Sequence, residues 1–199
     1  MVEIRGPYST HELHPEVFDR AECDRIIELG RSLPVDVGGI EGDDGMLEDH
    51  SLRAAEIAWV AEGPDTRWIH ERLRQVCDDA NQRYGFALSG FDEELQFTTY
   101  GRPGAFYTWH QDGLDGPVAR RKLSLVVQLS DPGEYEGADL ELFQVGEDYD
   151  AGELAEFRAS ARARGTVVVF PAFEYHRVTP LVSGVRHSLV SWVSGPPFR

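Results

Sequence analysis

From Pro15 to Leu33 apolar residues recur at a helical interval, with Val17, Phe18, Cys23, Ile26, Ile27 and Leu29 on one side and Pro34 ending the run. A second helical stretch covers Pro64 to Tyr84. Pro64 and Asp65 suit its first turn, and Trp68, Ile69, Leu73, Val76 and Cys77 form its apolar stripe. Between the two, Gly38 to Ser51 is rich in Gly, Asp and Glu and predicts a loop, and the short apolar run Ala54 to Val60 predicts a strand.

After Gly85 the period changes. Short apolar or alternating runs follow: Glu94–Tyr100, Ala105–Asp112, Lys122–Leu129, Asp139–Phe143, Thr166–Phe170, His176–Pro180 and Arg186–Val193. Turn-rich segments such as GRPG, DGLDG and SDPGEYEG separate them, which is the pattern of an all-β sandwich or barrel. The two helices are expected to pack outside one sheet. The stretch Gly146–Arg164 reads as a hairpin excursion with a short helical turn. No repeat or linker divides the chain. It is read as one domain, with support helices and first strands in 1–90 and a β core in 91–199.

Charge narrows the partners. Nineteen Lys and Arg stand against 35 Asp and Glu, a net charge of −16. Such a surface repels phosphate backbones and anionic membranes, so neither nucleic acid nor a membrane is expected as a partner. Cys23 and Cys77 fall in the two helical stretches without C-x-x-C spacing, and read as buried reduced thiols. The N-terminus has neither a basic region nor an apolar one of the signal-peptide kind, and no apolar run is long enough to span a bilayer; the cytoplasm is the expected location.

The candidate chemistry begins at Tyr107-Thr108-Trp109-His110-Gln111-Asp112-Gly113. In a strand His110 and Asp112 face the same side, with Cα atoms roughly 6.6–6.8 Å apart, so an imidazole and a carboxylate can meet on one ion. Gly113 lets the chain turn away behind them. Alone, H-x-D is a weak signal. His176 strengthens it: it follows the apolar run Val167–Phe170 and the turn Pro171-Ala172, and opens a strand. Two imidazoles and one carboxylate make the facial triad of non-haem iron, with positions left open for other ligands. Zinc more often takes cysteine or three histidines. Arg186 and Ser188 then share one face of the last strand. A ferrous ion with one carboxylate keeps a net positive charge, a bound dicarboxylate makes the site negative, and a buried guanidinium restores neutrality while gripping the far carboxylate.

His110-x-Asp112, His176 and Arg186-x-Ser188 together resemble the Fe(II)/2-oxoglutarate-dependent dioxygenases, and within them the prolyl-4-hydroxylase-like group. The similarity runs from about Phe97 to Trp192. It includes Tyr100-Gly101, Leu123-Ser124, Gly137-Ala138-Asp139-Leu140 and Phe170-Pro171, with Ala138 and Asp139 standing where the group usually has Gly and Glu. The resemblance implies a mostly β fold with flanking helices, a double-stranded β-helix or jelly roll. It implies His110, Asp112 and His176 as iron ligands, Arg186 against the 5-carboxylate of 2-oxoglutarate, and Tyr100 and Ser188 beside the cosubstrate. Gln128 stands where some relatives carry a cosubstrate-binding Tyr. Trp192 matches an aromatic wall of the active site. The cofactors implied are Fe(II), 2-oxoglutarate and O2, with ascorbate as an auxiliary reductant. The reaction implied is hydroxylation of an aliphatic carbon of a peptidyl residue, amino acid or small metabolite, with release of succinate and CO2. An Asp in the second ligand position favours hydroxylation over halogenation.

Other residues read differently. His187 is expected to face away from Arg186 and to serve packing or lie at the surface, not to act as a ligand. His11, His14 and His50 read as exposed, and His70 as part of the second helix, none with a partner at ligand spacing. Strand alternation points Tyr107 with Trp109 and away from His110 and Asp112, unless the strand bulges toward the substrate side. Arg120 and Arg121 are a basic pair at a strand start that can reach a substrate carboxylate near the mouth. Two other classes of function stay open: a cupin-like metal oxygenase that needs no 2-oxoglutarate, and a non-enzymatic jelly-roll binding module.

Overall fold

In a computed structural model of the chain, the structure describes residues 9–37, 40–42, 45–47 and 53–198. In chain order the elements are β1 (Glu12–His14), α1 (Arg20–Ser32), β2 (Asp36–Val37), β3 (Ile40–Gly42), β4 (Gly45–Leu47), β5 (Glu56–Val60) and α2 (Arg67–Tyr84). There follow β6 (Leu95–Tyr100), β7 (Tyr107–His110), β8 (Arg121–Gln128), β9 (Tyr135–Gly137), β10 (Leu140–Leu142), α3 (Phe143–Asp148) and α4 (Ala151–Arg162). The chain ends with β11 (Val167–Pro171), β12 (His176–Val178), β13 (Leu181–Gly184) and β14 (Arg186–Ser194).

A seven-stranded sheet in the order β1-β11-β8-β14-β6-β5-β2 forms the large layer, and β10-β12-β7 forms a small sheet. Alternation along the large sheet assigns its two faces. Leu123, Leu125 and Val127 of β8, with Leu95 and Phe97 of β6, pack on one side against Ile26 of α1 and Ile69, Leu73 and Val76 of α2. Ser124, Gln96 and Thr98 take the other parity and are nonetheless buried. Helices α1 and α2 therefore cover one face, as the periodicity predicts, and the second face carries these buried polar side chains toward a site.

The Asp19 side chain caps α1 at the Glu22 amide, while Glu22 reaches back to the Asp19 amide. The helix thus starts after, not at, Pro15. Gly165, φ +81°, lies so close to Phe18 that an added Cβ would sit 1.9 Å from the Phe18 carbonyl oxygen. Cys23 and Cys77 are buried free thiols, pushed up to about 11 and about 12 by burial.

Three expectations are corrected. Gly146–Arg164 is not a hairpin excursion but the end of α3 and the whole of α4, whose start is a second capping box, Asp150 with Glu153. Phe157 and Ala161 of α4 complete an apolar cluster with Leu140, Leu142, Val168 and Phe170. Gly38–Ser51 contains the antiparallel pair β3–β4, not only a loop. His11 and His14 are not free surface residues. The segment pairs with β11 as the edge strand β1, and the His11 ring meets Phe157 edge-on at 4.7 Å. His50 lies outside the described residues. Among those described, no helix is long and apolar enough to cross a membrane.

Candidate metal centre

The small sheet positions two imidazoles. β12 pairs antiparallel with β7 so that His176 stands directly opposite His110, their ring centroids 4.1 Å apart. Asp112 follows β7 in a turn held by the Ala172 carbonyl, which accepts from the amides of both Asp112 and Gly113 at 2.9 Å. Gly113 is required there by proximity: a Cβ would lie 2.6 Å from Cβ of Arg121.

His110 Nε2 lies 3.6 Å from Asp112 Oδ1, and His176 Nε2 lies 3.4 Å from Asp112 Oδ2. Donors in neighbouring positions around a small divalent ion stand roughly 3 Å apart, given bonds of about 2.0–2.2 Å. The three ligand atoms all lie within 4.8 Å of one another, and among the described residues no other group of three His, Cys, Asp or Glu comes together in this way. Each imidazole is oriented from behind. His110 Nδ1 lies 2.7 Å from the Thr108 carbonyl oxygen, and His176 Nδ1 lies 2.9 Å from that of Glu174. A carbonyl can only accept, so each Nδ1 carries the proton and each Nε2 lone pair is aimed into the site.

Burial, reinforced by the neighbouring His110, pushes His176 down to about 4, so it is neutral and able to ligate at neutral pH. For Asp112 burial alone would raise the pKa. The neighbouring His176 and His110, with Arg121, more than offset this and hold the carboxyl well below the usual carboxylate range. Ser124 Oγ also donates to Asp112 Oδ2 at 2.6 Å.

The second polar group is on the large sheet, across the cavity. The register pairs Arg186 with Tyr100 and Ser188 with both Thr98 and Gln128. Arg186 is buried, donates from Nη2 to Gln128 Oε1 at 2.9 Å, and lies 5.3 Å over the Tyr100 ring. Its Nη1 and the Gln128 Nε2 have no partner among the described residues. Two unmet donors beside a buried cation are costly, and they fit a carboxylate that would arrive as ligand. The donor set of the triad, two imidazole nitrogens and one carboxylate oxygen, fits ferrous iron. The residues thus fit both an iron ion and a dicarboxylate cosubstrate.

Tyr107 departs from simple alternation. A register shift between His176 and Val178 in the β12–β7 pair turns its ring onto His110, with centroids 3.5 Å apart and planes 16° from parallel. It lines the cavity, while Trp109 packs outward against Phe143. Trp192 lines the cavity as well, 6.5 Å from the Trp59 ring. Arg121 also faces it: its Nε donates to Glu93 at 2.7 Å, its Nη1 to the Asp112 carbonyl at 3.2 Å, and its guanidinium covers Trp192 at 3.9 Å. Arg120 points away and pairs with exposed Asp92. His187 packs on Phe97 on the helix side, and His70 is buried within α2, as expected of both.

Ser124, Arg53, Gln96 and Trp59 were not among the residues that motif spacing singled out. For Ser124 a signal existed: it is a polar residue at the inward parity of an otherwise apolar strand, in phase with Gln128. For Arg53 none did, because it lies outside any motif.

Residues 95–194, half of the chain, match the family model described as the 2OG-Fe(II) oxygenase superfamily. A PKHD-type hydroxylase of Synechococcus sp. (strain CC9605) is 39% identical over 90 residues, 45% of this chain and 37% of the relative. Another, from Synechococcus sp. (strain CC9311), is 24% identical over 185 residues, 92% of this chain and 77% of the relative. A third, of strain CC9902, is 36% identical over 65% of this chain and 54% of its own. Against two of these three the chain spans little more than half of the relative or less. Among solved structures, a Pseudomonas putida prolyl-4-hydroxylase superposes with a TM-score of 0.63 at 21% identity, covering 93% of this chain and 92% of the other. A Trichoplax adhaerens prolyl hydroxylase, in complex with a hypoxia inducible factor peptide fragment, superposes with a TM-score of 0.71 at 15% identity, covering 93% and 83%. These likenesses establish the fold as the double-stranded β-helix.

Proposed function

Since the chain belongs to the 2OG-Fe(II) oxygenase superfamily, we propose that it is a hydroxylase dependent on Fe(II), 2-oxoglutarate and O2. Its substrate is a peptidyl residue, amino acid or small metabolite with an aliphatic carbon to hydroxylate. The observation that carries this reading is the opposition of two polar groups across one cavity. The donors of His110, Asp112 and His176 lie on one side, and the buried Arg186 with an unmet Nη1 lies on the other.

Each residue has a part. His110, Asp112 and His176 hold the metal, with both imidazoles kept in the ligating tautomer by backbone carbonyls. Ser124 fixes the Asp112 carboxylate by donating to it. Arg186 and the Gln128 amide bind the far carboxylate of 2-oxoglutarate, and Tyr100 and Ser188 flank it. When bound, iron, 2-oxoglutarate and O2 supply the oxidising chemistry, with succinate and CO2 as coproducts. The apolar side chains Val126, Leu140, Val178 and Val190 line the same cavity and exclude water from it. The relatives named PKHD-type hydroxylase support hydroxylation as the outcome.

Anaerobic titration of the Fe(II)-loaded protein with 2-oxoglutarate tests this directly. A metal-to-ligand charge-transfer absorption is expected in the wild type and lost in His110→Ala and Asp112→Ala. Wild-type protein without that absorption, or full 2-oxoglutarate turnover in both variants, would sink the proposal.

A further inference from the structure

Arg53 lines the cavity and has no part in the proposed iron and cosubstrate site. Among the described residues three arginines line the cavity: Arg53, Arg121 and Arg186. Arg121 pairs with Glu93, and Arg186 is reserved for the cosubstrate. Arg53 is 6% exposed, yet among the described residues no carboxylate lies within ion-pair distance of it. Its Nη2 donates to a neutral acceptor, Gln96 Oε1, at 2.5 Å, and its guanidinium lies 4.8 Å over the Tyr107 ring. Its Nε–H is buried with no partner among the described residues. The backbone here is tied to the strand that carries His110. Arg53 forms an isolated antiparallel bridge with Tyr107, and the Ala54 amide donates to the Phe106 carbonyl at 2.9 Å.

A buried, uncompensated guanidinium is expensive unless an anion arrives to pair with it. Iron, Asp112, Arg186 and a doubly charged cosubstrate sum to neutrality, and Arg121 with Glu93 does as well. Among the described residues that line the cavity, one positive charge remains, on Arg53. We propose that Arg53 is the substrate-binding residue for a carboxylate on the molecule to be hydroxylated. That carboxylate docks on Nε, while the aliphatic part lies along Trp59, Trp192 and Val190 toward the metal. The Tyr107 ring ties the two ends together, stacked on His110 at one face and under Arg53 at the other. The substrate class is thereby an acid: a free amino acid, or a peptide presenting an acidic side chain or its C-terminus. This rests on the proposed iron and cosubstrate site and adds the substrate's charge to it.

The test uses the anaerobic Fe(II)·2-oxoglutarate protein and follows the perturbation of its charge-transfer absorption. The probes are aliphatic amino acids and proline, each beside its carboxamide, and capped peptides carrying Glu beside the same peptides with Gln. Carboxylate members are expected to bind at least about tenfold more tightly than their amides, the ratio for one charge-assisted hydrogen-bonded pair. Free acids responding alone identify an amino-acid substrate, and Glu peptides responding alone identify a peptidyl one. In Arg53→Gln the acid-over-amide preference is expected to vanish while the 2-oxoglutarate Kd stays within about twofold. Amides that bind as well as acids overturn the proposal, and this comparison needs only wild-type protein should the variant not fold. Loss of 2-oxoglutarate binding in Arg53→Gln also overturns it, by giving Arg53 to the cosubstrate. Absence of the absorption in the wild type is a separate result: it overturns the iron and cosubstrate reading, and this one with it.

Discussion

The rings of Tyr107 and His110 lie face to face, 3.5 Å apart, although they stand three positions apart in one strand. Regular alternation would send them to opposite faces. The register shift in the β12–β7 pair brings them together, and so makes a sheet irregularity part of the candidate metal site.

Removing that ring is expected to loosen His110. Tyr107→Leu should lower unfolding free energy by about 1–3 kcal/mol and ferrous affinity by about tenfold, because the imidazole loses its packing wall. Tyr107→Phe keeps the wall and should stay within about twofold of wild type in affinity. Urea unfolding and anaerobic Fe(II) titration check both.

Ser124 holds the Asp112 carboxylate from the large sheet, donating at 2.6 Å from a fully buried position. Ser124→Ala should weaken metal binding by about 10–100-fold, the usual range for losing a ligand's orienting partner, with only a small change in Tm of the metal-free protein. Competition against a chelator of known affinity gives the number.

Acid should destabilise the metal-free fold through histidines kept neutral inside it. Burial, reinforced by the charges of Arg31 and Arg186, pushes His187 down to about 4, and burial pushes His176 to about the same value. In the unfolded chain both titrate near about 6.5. Between those values the unfolded state binds protons that the folded state refuses, so stability present above pH of about 6.5 is lost as pH falls toward 4. His187→Asn should reduce that loss by about 1–2 kcal/mol, a figure discounted for the part of the ring that meets solvent. Urea midpoints at pH of about 7.5 and about 4.5, compared between the two proteins, measure it.

Gly165→Ala tests the close approach beneath α1. The added methyl group would fall 1.9 Å from the Phe18 carbonyl oxygen at a backbone φ of +81°, and Phe18 is itself held by its amide hydrogen bond to the Gly165 carbonyl at 3.2 Å. A loss of about 3 kcal/mol or more is expected, read as a fall in Tm.

Much of the architecture was legible along the chain because it rests on local periodicity. The helical stripes of α1 and α2 and the alternating runs after Gly85 report which side chains need burial. Where periodicity was weak the reading failed. The helix α4 buries only Phe157 and Ala161 and carries a mostly exposed polar surface, so its capping box Asp150–Glu153 was the one local sign of it. The edge strand β1 is three residues long, and only pairing with β11 makes it a strand.

The candidate site divides in the same way. Spacing predicts His110 and Asp112 on one face of a strand; β7 in fact ends at His110, and the turn held by the Ala172 carbonyl brings Asp112 to the same site. The order of turns put His176 and Arg186 at strand starts. Those four residue types carried the chemistry that the chain could announce by itself. Only the tertiary structure decided what surrounds them. Cross-strand register set His176 opposite His110, the bulge turned Tyr107 inward, and burial left Arg53 without an anion among the described residues. The physical reason is that ligand type and parity are local properties of a strand. Register, burial and the pairing of charges depend on segments that are distant in the chain and meet only in the fold.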